Sequence, residues 1–202
     1  MFTRTALAQN WRDVRPYFIF ALILFFAAVV VGGTPNGATA FLKEQIRGIQ
    51  QLARETETAD NPQLAFFWVI FQNNLKATVM TMYLGIAAGI FPLISMALNG
   101  MVIGFMFGAM ADAGEPVLPV IVKGILPHGI LELPALFLAA GFGMLLGMSV
   151  IKGMLGSLFG KTEPWRQFKR SLIGSVPALI VLVVVLLLAA ILESTVTYSL
   201  MS

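Results

Sequence analysis

The sequence predicts an all-α fold: a polytopic helical bundle of about five transmembrane helices, with an extracytoplasmic amphipathic helix and a short re-entrant helix. Three observations predict it. Hydrophobic residues make up 58% of the 202 and charged residues only 11%, against roughly 25% charged in soluble domains. The apolar residues fall in runs close to the roughly 20 needed to cross a hydrocarbon core. Glycine and proline break the chain between those runs. The longest polar stretch, Thr34 to Gln63, is too short for a second core, so residues 1–202 are read as a single membrane domain.

The first apolar run, Tyr17 to Gly33, follows Arg4, Arg12 and Arg15. It precedes Ala38-Thr39-Ala40, which has the look of a signal cleavage site, but the segment is expected to stay as an anchoring helix. Gly32-Gly33-Thr34-Pro35-Asn36-Gly37 ends it. In the segment 34–63, Phe41, Leu42, Ile46, Ile49 and Leu52 recur at helical spacing among Lys43, Glu44, Arg47 and Arg54, an amphipathic helix outside the hydrocarbon. Asn61-Pro62 restarts the chain. The long run from Leu64 to Met110 suits a hairpin, with one helix from about Pro62 to Phe91, a turn near Pro92 to Asn99, and a helix from about Leu93 to Met110. Ala111 to Pro116 is a polar turn carrying Asp112 and Glu115.

Val117 to Ile151 is too long for one crossing and barely enough for two, and charge decides between them. The segment 152–170 holds Lys152, Lys161, Arg166, Lys169 and Arg170 against Glu163 alone, which makes it a cytoplasmic basic loop under the positive-inside rule. With the N-terminus also cytoplasmic, one net crossing is left for this stretch. Leu131 to Ile151 supplies it, and Val117 to Leu126, interrupted by Pro119, Lys123 and Gly124, becomes the re-entrant helix. Leu172 to Leu192 crosses last and leaves the C-terminus extracytoplasmic. The expected location is the cell membrane.

Composition also narrows the chemistry. Cysteine is absent, which removes disulfides and thiolate chemistry. The net charge of +3 is small and the basic residues flank apolar segments, so the lipid bilayer and its anionic headgroups are the expected partner, not nucleic acid. Gly85 with Gly89, Gly100 with Gly104 and Gly108, Gly143 with Gly147, and Gly156 with Gly160 recur at four-residue intervals, which puts small residues on one helix face. They are read as helix-packing positions, within one chain or across a dimer seam. Gly104→Leu is expected to disturb packing more than the same change at Ala139.

The second helix carries Gln72, Asn73, Asn74 and Lys76, and the only histidine lies in Leu126-Pro127-His128-Gly129-Ile130-Leu131-Glu132-Leu133-Pro134. Residues four apart share a helix face, so His128 and Glu132 point together. Counting rise from the inner boundary brings Glu132 and Lys76 to similar outer depths. The prediction is an extracytoplasmic polar cluster of Asn73, Asn74, Lys76, His128 and Glu132, joined by Glu193. Intramembrane charges are costly and mark either transport paths or structural networks. A metal site is short of ligands unless a dimer completes it, and no catalytic spacing is recognisable, so neither a cofactor nor an enzyme activity is expected.

Asn74-Leu75-Lys76, Leu84-Gly85, Phe91-Pro92-Leu93-Ile94, Asn99-Gly100-Met101-Val102-Ile103-Gly104-Phe105 and Leu126 to Ala135 together resemble the stage II sporulation protein M family, across most of Leu75 to Gly147. The resemblance implies a bacterial or archaeal membrane protein of about five helices. It implies a scaffold or assembly role in the envelope, like that of the family's namesake, which holds peptidoglycan-degrading proteins at the septum. It brings no catalytic residues, and its polar positions, Asn74, Lys76, Asn99, His128 and Glu132, transfer as candidates only. Envelope membrane proteins and a second copy of the chain are the protein partners it suggests.

Overall fold

The computed structural model describes residues 3–34, 40, 42–48, 51, 58, 60–122 and 126–197. They form α1 (Arg4–Gly32), α2 (Pro62–Tyr83), α3 (Ile90–Asp112), the short α4 (Val117–Val120), α5 (Leu126–Leu158) and α6 (Arg166–Leu192). A 3-10 turn follows α2 at Leu84–Ile86, and a π turn, Glu193–Thr197, follows α6. There is no strand among the described residues, and the fold is an all-α bundle. Among the described residues four helices, Arg4–Gly32, Ile90–Asp112, Gly129–Leu158 and Arg166–Thr195, are long and apolar enough to cross a membrane. The fifth expected crossing, α2, has 22 residues, about 33 Å of rise, but Gln72, Asn73, Asn74 and Lys76 dilute its apolar character.

Several boundaries differ from the sequence reading. The first helix begins at Arg4, well before Tyr17, because the Thr3 side chain accepts the Ala6 amide at 3.3 Å and caps it. The hairpin turns at Leu84–Gly89, not at Pro92 to Asn99. There Gly89 has φ 75° and reverses the chain, beside Ala88 at φ 55°. Pro92 lies in the first turn of α3, where its missing N–H forfeits no helical bond. Asn99 consequently stands in mid-helix, its Nδ2 donating to the Ser95 carbonyl at 2.8 Å.

The basic loop of 152–170 is also shorter than expected. Helix α5 runs on to Leu158 and α6 starts at Arg166, so only residues 159–165 connect them. Gly153 and Gly156 leave room for Trp165 and Pro164 to fold back on the end of α5. Of the re-entrant segment, Val117–Val120 is helical, while Lys123 and Gly124 lie outside the described residues and α5 already begins at Leu126. Of segment 34–63, residues 42–48 are helical with Leu42 buried, and most of the remainder lies outside the described residues.

Helix α5 is the axle of the bundle: 67% of its apolar stretch is buried, against 22–33% for the other three candidate spans. Ala135, Ala139, Phe142 and Leu145 pack on Val14, Met82, Leu182 and Leu186. Phe137, Ala140 and Met144 meet Ala21, Phe25 and Met96. Helix direction can be read from the contacts. Phe25, Val29 and Gly33 meet Gly100, Gly104 and Gly108 in that order, so α1 and α3 run parallel. Asn74 meets Glu132 and Thr81 meets Gly143, so α2 and α5 run together. Gln63 reaches Ser194 while Tyr83 reaches Ser175, so α2 and α6 are antiparallel.

Candidate functional site

The polar residues of α2 divide between two faces because each residue advances a helix by about 100°. Asn74, Thr78, Thr81 and Met82 form the inward stripe, and the last three are buried. Asn73, Lys76 and Met80 lie on the exposed side. Two positions, or about 200°, separate Asn74 from Lys76. The expected cluster is therefore split: Asn74 enters the bundle, whereas Asn73 and Lys76 face away from it. No ion pair joins Lys76 to Glu132 among the described residues.

Glu132 stands on the inner side of α5, just before Pro134, and is only partly accessible. Its Oε1 accepts a hydrogen bond from Asn74 Nδ2 at 2.6 Å. An amide donating to a carboxylate is a charge-assisted bond, short and directional, and here it ties α2 to α5. The backbone of His128 lies in the first turn of α5, one helical turn ahead of Glu132, while its side chain lies outside the described residues.

Glu193 completes the site. It opens the π turn after α6, where it falls within electrostatic reach of Glu132. Gln63 Nε2, from the first turn of α2, donates to the Ser194 carbonyl at 3.0 Å and pins this end of α6 to the start of α2. The Ser194 and Thr195 hydroxyls fold back onto the Ile191 carbonyl at 3.2 and 2.6 Å. The site is thus two carboxylates from different helices with one amide donor between α2 and α5. Its chemistry is that of a hydrogen-bonded clasp or a seat for a proton or cation. Among the described residues, no three His, Cys, Asp or Glu side chains converge as a metal would require.

Other links were not legible beforehand. Thr81 and Ser95 hydroxyls lie 3.2 Å apart, joining α2 to α3, and Tyr83 and Ser175 hydroxyls lie 3.3 Å apart, joining α2 to α6. The only sequence signal for them was a hydroxyl in an otherwise apolar helix, a known form of interhelical contact. Of the predicted glycines, Gly160 has open space around it and Gly89 only ordinary contact with Met144, while the others sit at close approaches. A Cβ at Gly100 would overlap the Phe25 carbonyl, and one at Gly104 the Val29 carbonyl. Gly108 lies over the Gly33 carbonyl, which a Cβ added there would meet at 3.0 Å. Gly85 lies against Gly143, and Gly147 against Gly85 and Gly89.

An uncharacterised protein of Methanocaldococcus jannaschii is 30% identical over 145 residues, 70% of this chain and 60% of that protein. A second from the same archaeon is 35% identical over 83 residues, 41% of this chain and 46% of the relative. The chain thus spans less than two thirds of either relative's length. No solved structure matches. The sequence profile of Stage II sporulation protein M covers residues 17–198, taking in the whole clasp and all the glycine contacts, and the chain belongs to that family.

Proposed function

We propose that this chain is a multi-pass scaffold or assembly protein of the cell envelope, which organises other membrane proteins and catalyses nothing itself. One observation carries the reading: the partly buried acid Glu132 is engaged by Asn74 in a bond between two helices, so a polar group that is costly in a membrane bundle serves helix register. Family membership is consistent with it. A link to peptidoglycan remodelling at a septum belongs to the same reading.

The proposed topology places the N-terminus in the cytosol and the C-terminus outside, with α2 as a fifth crossing. The Arg170–Asp13 ion pair at 2.6 Å supports it, because the pair gathers the basic connector and the start of α1 at one end of the bundle. The reading also includes self-association. Gly100, Gly104 and Gly108 already receive α1, so a second copy would use another face.

The test is purification of a tagged full-length chain from its native membrane, with quantitative mass spectrometry of what accompanies it. Enrichment of a particular envelope protein, lost with Asn74→Leu and retained with Lys76→Gln, is the expected outcome. A second reading, a small ion transporter, is favoured by the proximity of Glu132 and Glu193. Cation or proton flux through liposomes holding only this chain, abolished by Glu132→Gln, would replace the scaffold reading with it.

A further inference from the structure

The opposite end of the bundle carries a charged concavity that the clasp does not involve. Lys152, Leu155 and Phe159 from the end of α5, Lys161 from the connector, and Arg166 and Arg170 from α6 line an open concavity of about 690 Å³. That volume is within the range of small-ligand sites. Gly156 shapes the floor: it is packed beneath Pro164 and the Lys161 stem, so a side chain there would fill the concavity. Two of the cations are partly spent, Arg170 on Asp13 at 2.6 Å and Arg166 on Glu163 at 3.4 Å. Lys152 and Lys161 have no ion pair among the described residues, which leaves an excess of positive charge directed at the opening.

An apolar shelf adjoins these cations. Leu155, Leu158 and Phe159 are 49%, 80% and 79% exposed, and Met154 is 57% exposed. Four large apolar side chains beside unpaired lysines at a bundle end form an amphipathic surface, with one part for an anion and one for hydrocarbon. A soluble phosphate would use only the first part.

We propose that this concavity binds the phosphate headgroup of an anionic phospholipid, with Lys152 and Lys161 contacting the phosphate, Arg166 bordering it, and Leu155 and Phe159 receiving the upper acyl chains. Basic pockets between membrane helices recognise headgroups in this way, and each nearby Lys contributes about fivefold in affinity. The site goes beyond the scaffold reading and stands whether or not any protein partner is found.

The experiment uses the full-length chain in neutral detergent, titrated with short-chain phosphatidylglycerol, with short-chain phosphatidylcholine, and with inorganic phosphate. Binding is followed by native mass spectrometry and by the rise in melting temperature. Phosphatidylglycerol is expected to bind and stabilise, phosphatidylcholine to do neither, and Lys152→Gln and Lys161→Gln each to weaken binding about fivefold. Lys43→Gln, at the other end of the bundle, is the charge control and should leave affinity unchanged. Two separate lysine variants keep the test sound if one fails to fold. Equal binding of inorganic phosphate would overturn the lipid assignment in favour of a soluble anion. Phosphatidylglycerol affinity unchanged in both lysine variants, or lowered equally by Lys43→Gln, would overturn the site.

Discussion

Two kinds of helix contact recur in this bundle, close backbone approach at glycines and side-chain hydrogen bonds between helices. Where α1 crosses α3, backbones touch: Gly32, Gly100 and Gly104 admit the main chain of the partner helix with no side chain between. Where the middle of α2 meets the start of α5, a directional bond, Asn74 to Glu132, links them, while further along the pair Thr81 and Gly85 lie against Gly143 by backbone. In lipid, neither contact gains from expelling water, so the first depends on dispersion over close surfaces and the second on satisfying a polar group. The difference teaches where each contact should fail: the glycine seam to added volume, the clasp to a lost hydrogen-bond partner.

Substitutions that add volume should break the seam first and most severely. Gly104→Leu drives a branched side chain into the Val29 carbonyl, and its cost is expected to exceed the roughly 1–3 kcal/mol typical of overpacking. Thermal unfolding in detergent, read by size-exclusion chromatography, should show little folded material; a wild-type profile would sink the seam. Ala139→Leu, offered by the sequence as the milder change, sharpens the comparison. Ala139 is fully buried in the α5 core, so this change is now expected to be comparably damaging.

At the clasp, chemistry should matter and volume should not. Asn74→Leu keeps the size of the side chain but strips Glu132 of its donor, at an expected cost of about 1–3 kcal/mol. Glu132→Gln retains an acceptor for Asn74 and should cost less than about 1 kcal/mol. If the two variants melt together, the hydrogen bond is not what joins these helices.

The Arg170–Asp13 ion pair lies between these extremes and the surface. Arg170 is half exposed, so Asp13→Asn should cost about 0.2–1 kcal/mol and cost less as salt is raised. An effect insensitive to salt would show that packing, not charge, links α1 to α6 there. Lys76→Gln should change stability by no more than about 0.5 kcal/mol, since Lys76 is exposed on the far side of α2 from Asn74. A loss as large as that of Asn74→Leu would return Lys76 to the clasp.

Much of this protein was legible from its residues because hydrocarbon solvent leaves the backbone few choices. Composition, run length and the basic connector predicted an all-α bundle, and the order of contacts along α1, α3, α2 and α5 has the directions that such a threading requires. Glycine spacing marked the seams for the same reason, since only a missing Cβ permits backbone contact. What tertiary structure alone decided was rotation and register. Which face of α2 turns inward separated Asn74 from Lys76, and the left-handed backbone at Gly89 moved the hairpin turn away from Pro92. Depth in a membrane is additive along a chain and can be counted, whereas the rotation of each helix depends on every neighbour packed against it at once.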